Sequence, residues 1–291
     1  MILIADSGST KTDWRIIHEN DAITQVSTTG LNPFFISADE IGAYLIENLL
    51  PKIELPIRKI YFYGAGCSTG QAKATIRTGL SHVFSEASIE VYDDMLAAAR
   101  AACNHEEGIV CILGTGSNSC LYKEGKIVQT SPSNGIWFGD EGSAGYMGKM
   151  LIQAYLNQEL PEELVRKFEK KYDQRRADIL ENVYSKPHPN RYLASFSRFV
   201  FHHMNHPFIY KLVYEGFQTF FRKTVCKYPD YQRYPVHCVG SVGFYYANVL
   251  RKVANELQIP LKNILESPIA GLTLFHQEEY RQQLAKKKKA E

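Results

Sequence analysis

The residues best suited to chemistry begin in the segment Ile2–Thr12, which reads ILIADSGSTKT. A short apolar run typical of a buried strand ends on the carboxylate of Asp6, and apolar residues resume after Thr12. Because Gly8 permits a sharp turn, the pattern predicts a strand–turn–strand hairpin that exposes consecutive N–H groups to a phosphate. Asp6 would hold a divalent cation there, directly or through water, although an ordinary surface hairpin fits the same pattern. The residues expected nearest the phosphate are Ser9, Thr10, Lys11 and Thr12.

A second glycine turn of the same kind follows about one hundred residues later. The apolar run Gly108–Leu113 leads into Gly114-Thr115-Gly116, and strand-like sequence resumes at Ser117. Two such turns in matching positions of a repeated fold would hold a triphosphate from both sides. The chain has no GxxxxGK[ST] segment, so neither turn is a P-loop, and Gly64-Ala65-Gly66 lacks the third glycine of a dinucleotide fingerprint.

Two copies of one element order, βββαβαβα, are predicted to carry these turns. In the first copy we expect strands near 2–6, 12–18, 22–28, 59–64 and 87–92, and helices near 37–50, 69–84 and 94–103. In the second we expect strands near 108–113, 117–123, 126–130, 236–240 and 263–266, with helices from 143, through 160–227, over 243–257 and at the end.

This repeat predicts an α/β protein of two domains, residues 1–107 and 108–291, with helices inserted in the second near 160–227. The last helix is expected to pack back on the first domain or to stay with the second. Ligands of open sheets of this kind bind at strand carboxyl ends, so the site is expected in a cleft between the halves.

Composition limits the function classes. Apolar residues make up 45% and charged residues 22% of 291, and the formal net charge is +2, so we expect a globular protein with neither nucleic-acid nor membrane partners. No apolar run approaches the roughly 18–20 residues of a membrane span, and the N-terminal run is too short for a signal peptide. The six cysteines form no CxxC pair, which favours a cytoplasmic location.

Four blocks together resemble one superfamily. They are DSGSTKT (6–12, beginning at Asp6), LGTGSNS (113–119), GDEGSAGYMG (139–148) and VGSVGFYY (239–246). The chain is identified by them as a member of the acetate and sugar kinase, Hsp70 and actin superfamily, and it most resembles N-acetylglucosamine kinases and the related ATPases that activate benzoyl-CoA reductase. The resemblance covers nearly the whole chain, least clearly the inserted helices. It implies two ribonuclease H-like (actin-like) ATPase domains, the cofactors ATP and Mg²⁺, and a homodimer.

The resemblance also assigns the general base. Asp94 follows a strand pattern and precedes the apolar helix Met95–Cys103, at the DDMLAAA step where the family has its catalytic aspartate. Asp93 is adjacent, and the choice between the two depends on the resemblance. Since aspartate is also a good helix N-cap, a capping role is the alternative for Asp94.

The remaining site residues are implied by similarity. ATP would be bound by the first turn, with a solvent-facing lysine as the alternative for Lys11, and by Gly114, Thr115, Gly116, Gly240, Ser241 and Gly243. The sugar would be bound by Asn32, Asp94, Ser117, Asn118, Asn134, Gly135 and Asp140, with a turn-forming role before Pro33 as the alternative for Asn32. Trp137 is expected in the core rather than on a sugar face. Asn134 stands where related kinases carry an aromatic residue, which leaves the sugar open, and Asp140 would otherwise belong to a helix start.

The predicted activity is phosphoryl transfer from MgATP to an amino sugar, N-acetylglucosamine to its 6-phosphate, with Asp94 as the general base. Two alternatives remain. An activator-type ATPase would couple hydrolysis to a redox partner, and such activators hold an iron–sulfur cluster through cysteines. A sugar- or nucleotide-binding sensor on the same fold would bind without catalysis.

Overall fold

The computed structural model describes residues 1–8, 10–54 and 56–290, and of 283–290 the backbone alone. The strands are β1 (Ile2–Ser7), β2 (Lys11–Ile17), β3 (Ile23–Thr29), β4 (Lys59–Gly64), β5 (Ser88–Asp93), β6 (Gly108–Leu113), β7 (Ser117–Lys123), β8 (Lys126–Thr130), β9 (Val236–Val239) and β10 (Leu261–Leu265).

The helices lie between groups of strands and after the last strand. They are α1 (Ala38–Asn48), α2 (Gly70–Ser81), α3 (Asp94–Cys103), α4 (Gly135–Phe138), α5 (Ala144–Leu156), α6 (Glu162–Tyr172), α7 (Arg176–Tyr184), α8 (Pro189–Ser195), α9 (Ser197–His202), α10 (Pro207–Lys223), α11 (Ser241–Tyr245), α12 (Ala247–Glu256) and α13 (Ile269–Ala290). No helix of the described part of the chain is long and apolar enough to cross a membrane.

The strands form two five-stranded sheets of the same topology. The first has the order β3-β2-β1-β4-β5 and the second β8-β7-β6-β9-β10. In each, three consecutive strands pair antiparallel, and two later strands extend the sheet in parallel from its first strand. The predicted α/β class and the internal duplication are therefore confirmed.

The chain divides into two compact units. Unit 1 comprises Met1–His105 and the chain from Ser267 onward, and unit 2 comprises Glu106–Glu266. In unit 1 successive side chains of β1 and β4 point to opposite faces, so α1 and α2 cover one apolar face and α3 and α13 the other. In unit 2 the inserted helices enlarge the core with aromatic side chains, among them Phe168, Phe199 and Phe217.

Register fixes which side chains meet at the carboxyl edge of each sheet. In unit 1, Ser7 is paired with Gly64 and Gly64 with Asp93, so Asp6 and Asp94 flank the same edge. In unit 2, Ile112 is paired with Val239, so the turns that begin at Gly114 and Gly240 follow neighbouring strands. Each sheet therefore presents its predicted site residues at one edge.

The helical parts differ from expectation in their breaks. The stretch 160–227 contains five α-helices, α6 to α10, instead of one long helical segment. The breaks coincide with left-handed backbone at Asp173 and His188 and with prolines in the first turns of α8 and α10. The helix expected over 243–257 is two helices that meet at Tyr246, whose hydroxyl donates to the Ser197 carbonyl at 3.1 Å.

Candidate active site

The first hairpin has the predicted form. The Gly8 N–H donates to the Lys11 carbonyl at 2.9 Å, and Gly8 and Thr10 are exposed, whereas Ser9 lies outside the described residues. Below the turn, Ser7 and Thr12 share a hydrogen bond of 2.8 Å, and the Thr12 hydroxyl donates to the Thr29 carbonyl at 3.0 Å. The buried side chain of Thr12 thus holds the hairpin together.

The carboxylate of Asp6 lies close to other carboxylates. Asp6 lies opposite Asp13 in the β1–β2 register, and Asp13 is ion-paired at 2.8 Å with the exposed Lys11. The pKa of Asp6 is raised to about 7, mainly by burial and next by the negative charge of Asp13. A hydrogen bond of 3.4 Å from the Ser267 hydroxyl acts in the opposite direction. Since carboxylates crowded in this way are stabilised by a cation, the donor set fits a hard divalent ion.

Within the described residues no group of three or more acidic, histidine or cysteine side chains is placed to hold a metal ion. A Mg²⁺ ion is usually held by one or two carboxylates together with waters and substrate phosphates. Asp6 is the side chain that would hold it.

The neighbouring aspartates at the start of α3 have separate roles. Asp93 is the N-cap, because its Oδ1 accepts a hydrogen bond of 2.8 Å from the Leu96 N–H. Asp94 is the first helical residue, and the residue as a whole is exposed. The surrounding protein nevertheless raises the pKa of Asp94 to about 6, mainly through desolvation and then through the charge of Asp93, against hydrogen bonds from the N–H groups of Asp94 and Met95. The capping alternative for Asp94 is thereby excluded.

The loop that follows β4 lies close to both Asn32 and Asp94. The Asn32 Oδ1 accepts from the Phe34 N–H at 3.0 Å, and a Cβ added at Gly66 would lie 2.8 Å from that oxygen. Gly66 has φ +84°, so glycine is required there both for the backbone and for the approach of Asn32. The adjacent Cys67 is buried, and burial and then the charge of Asp94 raise its pKa to about 12.

In unit 2 the second hairpin is joined to the loop 131–140. The Asp140 Oδ1 accepts from the Ser117 N–H at 3.1 Å, and the Asp140 carboxylate lies against Gly116, where a Cβ would be 3.0 Å away. Asp140 has φ +54° and precedes α5, whose N-cap is Ser143, so it does not belong to the helix start. Burial raises its pKa.

The other predicted sugar-site residues of unit 2 lie around this junction. Asn118 is half-buried, and its Oδ1 accepts from the Ser119 N–H at 2.8 Å. Asn134 is exposed, and Gly135 has φ +65° at the start of α4. The Lys149 Nζ of α5 donates to the Ile136 carbonyl at 2.7 Å, and this hydrogen bond holds the short helix α4 against α5.

The Gly240 turn packs directly against the second hairpin. Gly240 has φ +124°, and a Cβ there would lie 2.4 Å from the carbonyl oxygen of Leu113, the residue before Gly114. The exposed Ser241 and the buried Gly243 follow in α11. The six ATP-binding residues predicted in unit 2 are therefore brought together.

A recess of about 570 Å³ opens beside this turn. It is lined by Ser241, Val242, Tyr245 and Tyr246, and by Arg198, Phe201 and His202 of the inserted helix α9, together with Ala144 and Ser197. Its volume and aromatic lining are those of small-molecule sites. The inserted helices thus contribute to a candidate nucleoside pocket.

Comparison with solved structures decides the family. The chain matches a provisionally named N-acetylglucosamine kinase from Porphyromonas gingivalis with 42% identity and a TM-score of 0.90, over 96% of this chain and 100% of the other. It belongs to the N-acetylglucosamine kinase-like family. No protein-family model matches the chain, and neither does any curated protein.

More distant structures share the fold of this N-acetylglucosamine kinase-like protein. A provisionally named N-acetylglucosamine kinase from Chromobacterium violaceum matches with 17% identity and a TM-score of 0.72, over 94% of this chain and 98% of the other. A ROK family glucokinase from Streptomyces griseus, solved with glucose and AMPPNP, matches with 13% identity and a TM-score of 0.52, over 93% and 97%. The actin-like kinase fold is therefore shown for this chain.

Sequence reasoning misses several residues that lie around the candidate site. Asp13 could have been found from the hairpin register, which places it opposite Asp6. Gly66 was considered only as part of a dinucleotide fingerprint, and no local pattern marked Arg198 or Phe201. The expectation that Trp137 lies in the core is wrong, because 45% of its surface is exposed.

Proposed function

We propose that this protein is a kinase that transfers the γ-phosphoryl group of ATP to an amino sugar, N-acetylglucosamine, at O6. The observation that supports the proposal most directly is that Asp93 and Asp94 have different roles at the start of α3. Because Asp93 caps the helix, the carboxylate of Asp94 is left at the sheet edge with a raised pKa of about 6, as a general base near neutral pH requires.

ATP is assigned to the turns of the two hairpins and to the recess beside Ser241. The Gly8 and Gly114 N–H groups donate within their own turns, so the other N–H groups of the turns are the ones proposed to bind phosphate oxygens. The aromatic lining of the recess suits a purine ring. Asp6 would hold Mg²⁺, which when bound neutralises phosphate charge during transfer. The phosphate-binding residues proposed are Ser9, Thr10, Lys11, Thr12, Gly114, Thr115 and Gly116.

The sugar is assigned to polar groups around Asp94 and the loop 131–140. Because the Asn32 Oδ1 is used within its own turn, its amide Nδ2 group is the part that would donate to a sugar hydroxyl. Asp140 accepts one main-chain hydrogen bond and keeps capacity for another partner. Asp94 would accept the proton of the attacking primary hydroxyl, with Ser117, Asn118, Asn134 and Gly135 completing the sugar contacts.

The proposed base predicts the pH dependence of the reaction. Since Asp94 must be ionised to accept a proton, kcat/KM for the sugar is expected to rise with pH through about 6 and to level off above it. Because the charge of Asp93 contributes to the raised pKa, Asp93→Asn should move this midpoint to lower pH. Initial rates from pH 5 to 8 test this, and a profile that is flat over that range would count against Asp94.

Removing the Asp6 carboxylate is expected to weaken the use of magnesium. Asp6→Asn should raise the Mg²⁺ concentration needed for half-maximal rate by about tenfold or more, because the group that would hold the ion loses its charge. Asp39→Asn, the same substitution at an exposed aspartate of α1, is the matched control and should leave the Mg²⁺ dependence unchanged. An unchanged Mg²⁺ dependence in Asp6→Asn would remove Asp6 from this role.

The activity is tested by measuring ADP release from MgATP with N-acetylglucosamine, glucosamine, N-acetylmannosamine, glucose and no sugar. Strong stimulation by N-acetylglucosamine is the expected result, and product analysis by NMR identifies the phosphorylated oxygen. Hydrolysis that is independent of sugar would favour an activator-type ATPase. ATP binding without turnover would favour a sensor.

A further inference from the structure

Two aromatic side chains of unit 2 lie close together with their surfaces exposed. Trp137 in α4 is 45% exposed and Tyr184, the last residue of α7, is 77% exposed. Their ring centroids are 6.2 Å apart and their planes differ by 5°. The next residue, Phe138, is 82% exposed. The phosphoryl transfer proposed above uses none of these rings.

Trp137 is exposed although the loop that carries it is anchored by hydrogen bonds on both sides of this residue. The preceding residue, Ile136, is buried, and its carbonyl accepts the hydrogen bond from Lys149. At the end of the same loop, Asp140 accepts from the Ser117 N–H. Both flanks of Trp137 are thus anchored while nearly half of its surface remains exposed, which is the arrangement of a preorganised binding surface.

The surroundings of these rings favour a carbohydrate. A pyranose has an apolar face of C–H groups and a rim of hydroxyls, and it suits a flat aromatic surface flanked by hydrogen-bonding groups. Here the exposed Asn134 and the half-buried Asp140 lie in the loop that carries Trp137. A protein partner would need about 800 Å² of surface, far more than two or three rings supply.

We propose that Trp137 and Tyr184 bind a second sugar ring, so that the preferred acceptor is an N-acetylated disaccharide. This deepens the proposed function, since it depends on Asn134, Gly135 and Asp140 binding the ring that is phosphorylated. The ring that stacks on Trp137 and Tyr184 would be attached to the acceptor away from its primary hydroxyl. Tyr184 belongs to the inserted helices, which gives this part of the insertion a role in substrate choice.

The chain has a natural reporter for this binding. It contains two tryptophans, of which Trp14 is fully buried and Trp137 is exposed. Tryptophan emission is titrated with N,N′-diacetylchitobiose and, separately, with N-acetylglucosamine. We expect the disaccharide to change the emission and to half-saturate at a concentration about tenfold lower.

The test variant is Tyr184→Ala, which removes an exposed ring and keeps Trp137 as the reporter. It should abolish the tenfold preference for the disaccharide, both in binding and in kcat/KM, and leave phosphorylation of the monosaccharide unchanged. Val128→Ala removes a 55% exposed apolar side chain of the same unit and should leave the preference intact.

The outcomes separate this inference from the proposed function. Phosphorylation of N-acetylglucosamine with no disaccharide preference would overturn the second-ring site and leave the kinase standing. A disaccharide-dependent emission change that Tyr184→Ala removes, without any sugar phosphorylation, would support the second-ring site and refute the kinase. A change of sedimentation coefficient in Tyr184→Ala with saccharide binding unaltered would show an interface between copies and would overturn the site.

Discussion

Replacing Asp94 by asparagine is expected to lower kcat for sugar phosphorylation by about 10²–10⁴-fold and to leave the affinity for ATP unchanged. Asparagine has nearly the same size as aspartate, and its amide oxygen can still accept from the N–H groups at the start of α3, so the helix start is preserved. The amide cannot take the proton of the attacking hydroxyl at neutral pH. Steady-state kinetics and calorimetric titration with ATP measure the two effects separately.

The neighbouring residue supplies a matched control. Asparagine caps helices about as well as aspartate, so Asp93→Asn should keep the helix start while removing one charge beside Asp94. We expect its kcat at pH 8 to stay within a few-fold of the natural protein. Near-normal turnover in Asp94→Asn, or an equal loss in Asp93→Asn, would contradict the assignment of the base to Asp94.

Replacing Gly240 by alanine is expected to destabilise the protein by about 3 kcal/mol or more. Its φ of +124° is strained for any residue with a Cβ, and the added Cβ would lie 2.4 Å from the Leu113 carbonyl oxygen. Relief of that overlap would displace the end of β6, from which the second hairpin turn begins. Calorimetry should show Tm lower by roughly 6–12 °C, together with weakened ATP binding.

Gly243 lies three residues further on and serves as the control. A Cβ there would make only ordinary contacts, the nearest at 3.5 Å, and alanine is the better helix former. Gly243→Ala should therefore keep or raise Tm. Any loss of ATP affinity in this variant would then show that the added methyl group hinders ATP directly and not that the fold is disturbed. A Tm for Gly240→Ala equal to that of Gly243→Ala would refute the steric argument.

Local patterns were sufficient to predict much of the fold. Both hairpins, the strand–helix step at Asp94 and the strand–helix turn at Gly240 are read from short runs in which glycine or aspartate follows an apolar strand. Their duplication then determines the sheet topology, since the second copy can repeat the pairing of the first. The four sequence blocks lie on these elements for the same reason.

What could not be predicted depends on contacts between distant segments. Sequence alone could not separate Asp93 from Asp94, because they are adjacent at the step from β5 to α3 and the cap is decided by a hydrogen bond from the Leu96 N–H. The recess beside Ser241 needs α9, about forty residues earlier in the chain. The core position expected for Trp137 is wrong because an aromatic residue in an apolar run is usually buried, whereas here the neighbouring Ile136 takes the buried position.

The return of α13 to unit 1 has a consequence for synthesis on the ribosome. Ile269 and Leu272 cover an apolar face of the first sheet, His276 is bonded to Tyr63 at 2.8 Å, and Gly271 lies against the Ala101 carbonyl of α3. When the first 105 residues emerge, this cover is still untranslated, and the roughly 160 residues of unit 2 take about ten to thirty seconds to add. The apolar face that α13 covers, with the helix that starts at Asp94, therefore gains its cover only after unit 2 has been synthesised.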